Sequence, residues 1–438
     1  MKQDFEPEVH KEKLTANKPF MLLISAQLVS NVGDWLHFLA LLTMVGLKWQ
    51  ATPWEITALS LCMAVPMLLG GPLAGYVSDV MDRKAIMIGS DLLRAGIVAG
   101  LIFAGSLWQV YMLLAAKGIM DVLFSPAKSG KLKELVHPEQ MDRAIALSSS
   151  IEQVTKILGP ALGGLLVAAV GISACYWIDS VTYLISALIL LFVPNAGKYR
   201  SARGSGNGGA GTPAQGLQSF RREAGAGLRH ISGMPVVLSG LILLVAVLMV
   251  LQIADSQTVT LFREIPGVNG NLLGWCMAAS GFGTLLSALL TARLGSARHP
   301  LIMMSTGSIL MGAVFASAAV VTSCGGAGIW LNIMLFSTFG LAGAGAGLVF
   351  IPFNAMLQRR TPEAFTGRVF GTVNSMTSAA VILGPVAGGA LVTLAGPVAA
   401  FIVSGMLAAA LGAAMLVIRS RIEGRDMPAQ LAVTEPVA

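Results

Sequence analysis

The chain has 438 residues, of which 55% are hydrophobic and only 12% are charged, and its mean hydropathy is +0.74. A water-soluble fold cannot bury that much apolar surface, so the composition predicts an all-α integral membrane protein. The net charge of +7 follows from basic residues in the predicted loops, so we expect no nucleic-acid partner.

In chain order, the polar and charged residues 1–17 come first, and no cleavable signal peptide is expected there. Six apolar stretches follow, each long enough to cross ~30 Å of hydrocarbon. These predicted spans are 18–46, 55–77, 85–105, 108–127, 143–170 and 174–194. Six more lie at 234–260, 271–292, 300–322, 329–352, 367–395 and 397–418, before a tail at 419–438. The pattern predicts twelve transmembrane helices in two pseudo-symmetric six-helix bundles, 18–194 and 234–418.

The segment 195–233 separates the two predicted bundles. It begins with the glycine-, serine- and arginine-containing run NAGKYRSARGSGNGGAGTPAQG and continues into the amphipathic SFRREAGAGLRHI. This composition is typical of a flexible linker that leads into a surface helix. Nothing in it resembles a nucleotide-binding loop, so ATP-driven transport is not expected from this chain.

The distribution of lysine and arginine predicts the orientation. Of the 29 such residues, 24 fall in the two termini, the linker or loops on the linker's side of the membrane. Lys48 and Arg263 alone fall on the opposite side, and three more lie within spans. The positive-inside rule then places both termini and the linker in the cytoplasm.

A repeated motif relates the two halves. The string ILGPALGG at 157–164 returns as ILGPVAGG at 382–389, 225 residues later. Proline costs ~3 kcal/mol and glycine ~1 kcal/mol relative to alanine inside a helix, so the repeat predicts a bendable helix contact in each half. The motif residues are Gly159, Pro160, Gly163, Gly164, Gly384, Pro385, Gly388 and Gly389.

Charged residues within spans cost about 2.5–3.5 kcal/mol each and usually mark function or a paired contact. Three pairs are spaced three or four residues apart, so each can neutralise itself on one helix face. These pairs are Asp91 with Arg94, Lys117 with Asp121, and Glu152 with Lys156.

Three acids, Asp34, Asp179 and Asp255, have no such partner in their own span. A carboxyl without a cation in an apolar span can bind and release protons, so these three and Glu152 are proton-coupling candidates. The alternatives are that partners on other helices satisfy them, or that they lie near the outer interface.

A polar stripe supports Asp34 further, because Gln27, Asn31 and Asp34 share one face of an otherwise apolar helix. Gln252 and Asp255 repeat the last two positions 221 residues later. Paired polar faces predict a central cavity between the halves, with the first half binding protons and the second offering an uncharged wall. The cavity candidates are Gln27, Asn31, His37, Lys117, Lys156, Gln252, Asn374 and Met376.

Histidine and cysteine give no sign of catalysis. The five histidines are scattered and the four cysteines lack metal-ligand spacing, so we expect no enzyme, no metal site and no disulfide framework. His37 lies one turn after Asp34, where it is either part of a proton relay or a packed core histidine.

The loop GYVSDVMDRK at 75–84 resembles the G-x-x-x-D-R-x-G-R-K signature of the major facilitator superfamily. Val80 and Asp82 depart from that signature, a variation similar to the macrolide-efflux and enterobactin-exporter branch. The resemblance implies a cytoplasmic latch, in which the glycine permits close helix approach and the acidic and basic groups hold one state. The latch residues are Gly75, Asp79, Arg83, Lys84 and Asp121.

The glycine-proline motif of the fifth span is similar to the motif that marks antiporters in this superfamily, which implies export. The resemblance therefore implies a monomeric, proton-coupled antiporter in the cell inner membrane that exports an amphipathic drug, macrolide or siderophore. A proton gradient would supply the energy, with no cofactor.

The alternative is a lysophospholipid transporter, because the run Ser125 to Lys128 resembles that family too. Such a transporter would bind a phosphate at Lys117 or Lys156. A third possibility is a non-transporting membrane receptor.

Overall fold

The computed structural model describes residues 14–195, 228–265, 270–294, 299–323, 329–361 and 366–434. Within these ranges the chain is helical and contains no β-strand. Most of the predicted N-terminal segment and of the predicted linker lies outside the described residues.

Six long helices form the first half: α1 Lys18–Leu41, α2 Pro53–Val80, α3 Arg83–Ile102, α4 Leu107–Leu135, α5 Met141–Val170 and α6 Ile172–Leu191. α1 continues as a π-helix at Leu42–Lys48. The second half contains α7 Pro235–Asp255, the short α8 Thr258–Arg263, α9 Gly270–Leu294, α10 Pro300–Ser323, α11 Ile329–Arg360 and α12 Thr366–Thr434.

The predicted twelve-span architecture is confirmed. In the described residues, ten helical stretches are long and apolar enough to cross a membrane, and the last of them, Val369–Gly424, contains Gly396. Gly396 has a φ of 83° and breaks α12 into two spans. α5, Met141–Val170, supplies one further span.

Local sequence explains where several helices begin. Thr52 and Glu55 form a capping box at the start of α2, in which the Glu55 carboxylate accepts from the Thr52 amide at 2.6 Å. Asp82, one of the departures from the loop signature, is the N-cap of α3 and accepts from the Ala85 amide at 3.3 Å. The acid at this position therefore has a structural role where the signature has glycine.

The helix ends define two sides of the molecule. We call the end where α6 finishes and α7 begins the linker side, and the opposite end the far side. The far-side ends of both halves share one hydrophobic core, in which Leu36 and Val167 of the first half lie in the same cluster as Phe262 and Cys276 of the second. Two other cores lie within single halves, one at the linker side of the first half and one in the second half.

Hydrogen bonds also join the halves at the far side. The Thr57 hydroxyl on α2 donates to the carbonyl of Pro385 on α12 at 3.0 Å. The Gln257 amide donates to the carbonyl of Pro53 at 3.2 Å, and Arg263 Nε donates to the Gly46 carbonyl at 2.7 Å. The far side is therefore closed in this structure.

The repeated motif performs the same packing in each half. Gly159 and Gly163 of α5 lie against Trp35 and Leu39 of α1, within their own half. Gly384 and Gly388 of α12 lie correspondingly against α7. The helix-contact part of the prediction is thus supported, while bending at the two prolines stays a prediction.

The last glycine of each motif crosses to the other half. Gly164 packs on the Gly274 carbonyl of α9, and Gly389 packs on Thr57 of α2. The positive-φ glycines that follow, Gly171 at 81° and Gly396 at 83°, are separated by the same 225 residues as the motifs. The two halves are therefore structural repeats down to these contacts.

Substituting Gly164 tests the crossing contact. A β-carbon there would overlap the Gly274 carbonyl and lie 2.7 Å from the Ala278 amide nitrogen. We expect Gly164→Val to lower stability by about 1–3 kcal/mol, because backbone on both helices must separate, measured as thermal denaturation in detergent. Gly89→Val is the control, since a β-carbon on Gly89 meets nothing within 4 Å. Equal losses in the two variants would contradict this packing.

Candidate functional site

A network of five ionisable side chains lies inside the first half, where α1, α3 and α4 meet. Arg94 pairs with Asp91 at 3.1 Å and with Asp121 at 2.9 Å. Lys117 pairs with Asp34 at 2.9 Å and with Asp121 at 3.1 Å. We call these five residues the buried charge network. Asp121 joins its two cations, so the network is continuous across three helices.

Two carboxylates of the network are partly exposed, whereas its two cations are buried. The side chains of Lys117 and Arg94 are 3% and 6% exposed, whereas those of Asp34 and Asp121 are each 38% exposed. α1 packs against α4, α5 and α6, all in its own half. Because the described hydrogen bonds between the halves lie at the far side, we infer that the exposed carboxylates face a space between the halves that opens toward the linker side.

Two of the three predicted intrahelical pairs are confirmed, namely Asp91 with Arg94 and Lys117 with Asp121. The expectation that Asp34 lacks a cation is wrong, because Lys117 reaches it from α4. Tyr183 of α6 also donates to Asp34 Oδ1 at 2.5 Å. These partners are 83 and 149 residues away in the chain, so helix spacing gives no sign of them.

Asp179 is also partnered, which corrects the second expectation of a lone acid. His37 Nδ1 lies 2.7 Å from Asp179 Oδ2, and the two side chains are 1% and 0% exposed. Thr182 donates a further hydrogen bond to Asp179 Oδ1 at 3.1 Å. His37 is thus a buried, hydrogen-bonded histidine and not an exposed cavity wall.

Glu152 has an ionic partner that was not predicted. Lys128 Nζ lies 2.8 Å from Glu152 Oε1, and the Gln27 amide donates to the same oxygen at 3.2 Å. The predicted partner, Lys156, has a side chain outside the described residues. Gln27 therefore lies in the interior, as the polar stripe predicts, while Asn31 on the same stripe is half-buried.

The second half presents a less charged wall. Asp255 is half-buried at the end of α7 and forms no hydrogen bond or ion pair with any described residue. It is therefore the one predicted lone acid that the structure leaves without a described partner. Gln252 packs against Gly384, Asn374 is exposed and Met376 is half-buried.

The linker-side latch differs from the expectation. Arg83 pairs with Asp79 at 3.3 Å and with Glu134 at 2.9 Å, both in its own half, whereas Asp121 belongs to the buried charge network. A β-carbon on Gly75 would meet nothing within 4 Å, so the predicted close helix approach there is wrong. The physical reason is that the halves meet at the far side, which leaves the inner surface of α2 open at its linker-side end.

Two lysines behind the latch make contacts that were not predicted. Lys131 is 0% exposed and donates to Glu134 at 2.9 Å and to the carbonyl of Asn195 at 2.7 Å. Lys84 donates to the carbonyl of Leu191 at 2.7 Å. The signature loop is therefore fixed to the end of α6, where the linker begins.

Metal binding has no support in the described residues, which contain no group of three or more His, Cys, Asp or Glu side chains able to hold an ion.

Comparison with known proteins identifies relatives over nearly the whole chain. A family model described as Major Facilitator Superfamily matches residues 23–269 and 257–435. The MFS-type transporter YfiS of Bacillus subtilis (strain 168) is 38% identical over 411 residues, covering 93% of this chain and 95% of the relative. The multidrug efflux pump Tap of Mycolicibacterium fortuitum is 24% identical, with 89% and 92% covered. Macrolide efflux protein A of Enterococcus faecalis is 24% identical, with 75% and 98% covered.

Solved structures share the fold at low identity. The nucleoside transporter NupG superposes with a TM-score of 0.64 at 12% identity, covering 91% of this chain and 98% of that one. A POT family transporter bound to 5-aminolevulinic acid gives the same TM-score, with 91% and 96% covered.

Proposed function

Because the chain belongs to the major facilitator superfamily and is a multi-pass membrane transporter, we propose that it is a proton-coupled antiporter that exports amphipathic small molecules. In this proposal the protein lies in the cell inner membrane as a monomer, with both termini cytoplasmic. The proton gradient supplies the energy, and the chain needs no cofactor and catalyses no reaction.

The charge balance of the network carries the proposal. It holds three carboxylates, Asp34, Asp91 and Asp121, against the two cations Arg94 and Lys117. One negative charge is left unbalanced in a span, where an unpaired charge is costly. A single proton neutralises it, so the network suits proton binding.

Asp34 is the group best placed to exchange that proton. Its side chain is 38% exposed, whereas Asp91 is fully buried. Protonation of Asp34 would break its ion pair with Lys117 and so weaken the contact between α1 and α4. That change biases the alternation between inward-open and outward-open states, since the two states then differ in proton affinity.

The names of the relatives support export over uptake. Two relatives are described as a multidrug efflux pump and a macrolide efflux protein, and a drug or macrolide is the substrate class we propose. The lysophospholipid alternative has less support, because Lys117, one of its two predicted phosphate partners, is already neutralised by two carboxylates. The side chain of the other, Lys156, lies outside the described residues.

Reconstituted vesicles test the proposal. Purified protein is assayed for accumulation of ethidium, erythromycin and fluorescent lysophosphatidylethanolamine, with and without an imposed pH gradient. We expect ethidium or erythromycin to accumulate only with the gradient. Movement of the lysophospholipid alone, regardless of the gradient, would establish the alternative.

The Asp34→Asn variant identifies the coupling site. We expect it to lose proton-driven accumulation at least about tenfold, because each coupled proton contributes about 1.4 kcal/mol per pH unit, while exchange of labelled for unlabelled probe continues. Glu139→Gln, at an exposed acid on the linker side, is the control and should match the wild type. Unchanged accumulation in Asp34→Asn would remove Asp34 from the mechanism.

A further inference from the structure

A second ionisable site lies beside the buried charge network and is not used by the proposed function. It consists of His37 on α1 and Asp179 on α6, whose side chains are 1% and 0% exposed and 2.7 Å apart. We call this the His37–Asp179 pair. An ionisable pair so deeply buried in a membrane span is costly to maintain and usually serves function.

The Asp179 carboxylate packs closely against α1. Gly33 faces it directly, since a β-carbon at position 33 would overlap Asp179 Oδ1 and Thr182 Oγ1. The Thr182 hydroxyl, which also donates to the Asp179 backbone carbonyl at 2.7 Å, lies 3.1 Å from that carboxylate oxygen. The other carboxylate oxygen contacts His37. Gly33 and Thr182 on one side and His37 on the other therefore orient the carboxylate.

The remaining nitrogen of His37 is free to take a proton. An ionised carboxylate only accepts hydrogen bonds, so Nδ1 carries the hydrogen and Nε2 is the basic nitrogen of the neutral ring. His37 Nε2 is buried and has no hydrogen-bond partner among the described residues. A proton that binds Nε2 creates an imidazolium that the Asp179 carboxylate stabilises directly, as in other carboxylate–histidine pairs.

The charges around the pair also allow a second proton. Asp34 lies three residues before His37 on α1, and Tyr183, which donates to Asp34, lies four residues after Asp179 on α6. Lys117 and Asp121 of α4 and Asp91 and Arg94 of α3 complete the neighbouring network. Together with Asp179, these groups include four carboxylates and two permanent cations. The net charge of these groups is thus −2. The buried charge network contributes −1 of it, and Asp179 contributes the other −1.

We propose that the His37–Asp179 pair is a second proton-binding site of the transport cycle, so that one exported molecule exchanges for two protons. The inference rests on the proposed antiport. One proton is held by the cavity-facing Asp34 and the other by His37 Nε2. A proton that moves from Asp34 to Nε2 leaves the Asp34 carboxylate free to re-form its ion pair with Lys117, and the total charge is unchanged.

Equilibrium accumulation measures the number of protons. In vesicles with the membrane potential clamped at zero and a gradient of one pH unit, each coupled proton raises the limiting ethidium ratio about tenfold. We expect His37→Gln and Asp179→Asn each to lower that ratio about tenfold relative to wild type while ethidium counterflow continues. His299→Gln, at an exposed histidine before α10, is the matched control and should keep the wild-type ratio.

The outcomes separate the two proposals. A wild-type protein that accumulates no probe in response to the gradient refutes the proposed antiport itself. Gradient-driven accumulation that is the same in wild type and His37→Gln refutes only the second site.

A spectroscopic measurement decides the case in which the variants lose counterflow as well. The full chain is prepared with His37 as its single histidine, with His10, His137, His230 and His299 replaced by glutamine, and ¹⁵N-labelled at histidine. We expect the nitrogen spectrum to show Nδ1 protonated throughout and Nε2 gaining a proton between samples at about pH 9 and about pH 5. An Nε2 signal that stays unprotonated over that range would overturn the proposal.

Discussion

Replacing Arg94 with leucine should lower the free energy of unfolding by about 3–5 kcal/mol, the usual cost of removing one partner of a buried ion pair. Arg94 is 5% exposed and pairs with both Asp91 and Asp121. Its guanidinium also donates to the Met120 carbonyl at 3.1 Å. Without Arg94, the fully buried Asp91 keeps only the hydrogen bond from Ser186, at 2.7 Å.

Thermal denaturation of the purified variants in detergent checks this value. The double variant Arg94→Leu with Asp91→Asn should recover most of the loss, because it removes the unpaired charge together with its partner. Arg83→Leu is the control, since Arg83 is a partly exposed arginine in the same half and should cost about 1 kcal/mol. A double variant as unstable as Arg94→Leu alone would show that packing of the guanidinium, and not charge, stabilises this site.

The repeat could be predicted from the sequence because it consists of proline and glycine, which are unfavourable inside a helix. A proline and three glycines at matching positions in two apolar segments have few explanations other than a duplicated helix contact. The structure adds what each motif glycine touches, since Gly164 and Gly389 contact the other half whereas Gly159, Gly163, Gly384 and Gly388 contact their own. That division depends on how the two bundles dock, which no local pattern encodes.

The ionic partners were predictable only within one helix. Asp91 with Arg94 and Lys117 with Asp121 follow from spacing, whereas Asp34 meets Lys117 across helices that are far apart in the chain. An apolar helix of low amphipathicity gives little indication of which face turns toward which neighbour. Sequence likewise gave no indication that Lys131 is fully buried.

The closure of the far side was not predicted either, because its charged hydrogen bond is accepted by a backbone carbonyl. Arg263 donates through Nε at 2.7 Å, and through Nη2 as well, to the carbonyl of Gly46. Gly46 lies near the end of the π-helix that terminates α1, where carbonyls lack partners within the helix. The absence of a side chain at Gly46 also lets Val259 of the second half pack directly against it. Sequence gives no sign of either interaction.

Removing the far-side hydrogen bonds should open that side. In a variant with Thr57→Ala, Gln257→Ala and Arg263→Ala, the halves lose their bonds to Pro385, Pro53 and Gly46. A charged hydrogen bond contributes about 1.5–3 kcal/mol and each of the two neutral ones about 1 kcal/mol, so the closed state loses about 3.5–5 kcal/mol. The population of far-side-open molecules should then rise by about 100-fold or more.

Cysteine labelling measures that population directly. Val259 is 1% exposed in the closed contact, so a Val259→Cys reporter in a background without native cysteines reacts with a membrane-impermeant maleimide only when the far side opens. The triple variant should label much faster than the reporter alone. Thr393→Ala is the matched control, because its hydroxyl donates to the Gly389 carbonyl of its own helix at 2.7 Å and does not join the halves. Labelling rates that are equal in all three proteins would show that the shared hydrophobic core holds the far side closed without these bonds. In that case the closure would depend on apolar burial, and substitutions at Gly164 or Gly274 would be the ones that open it.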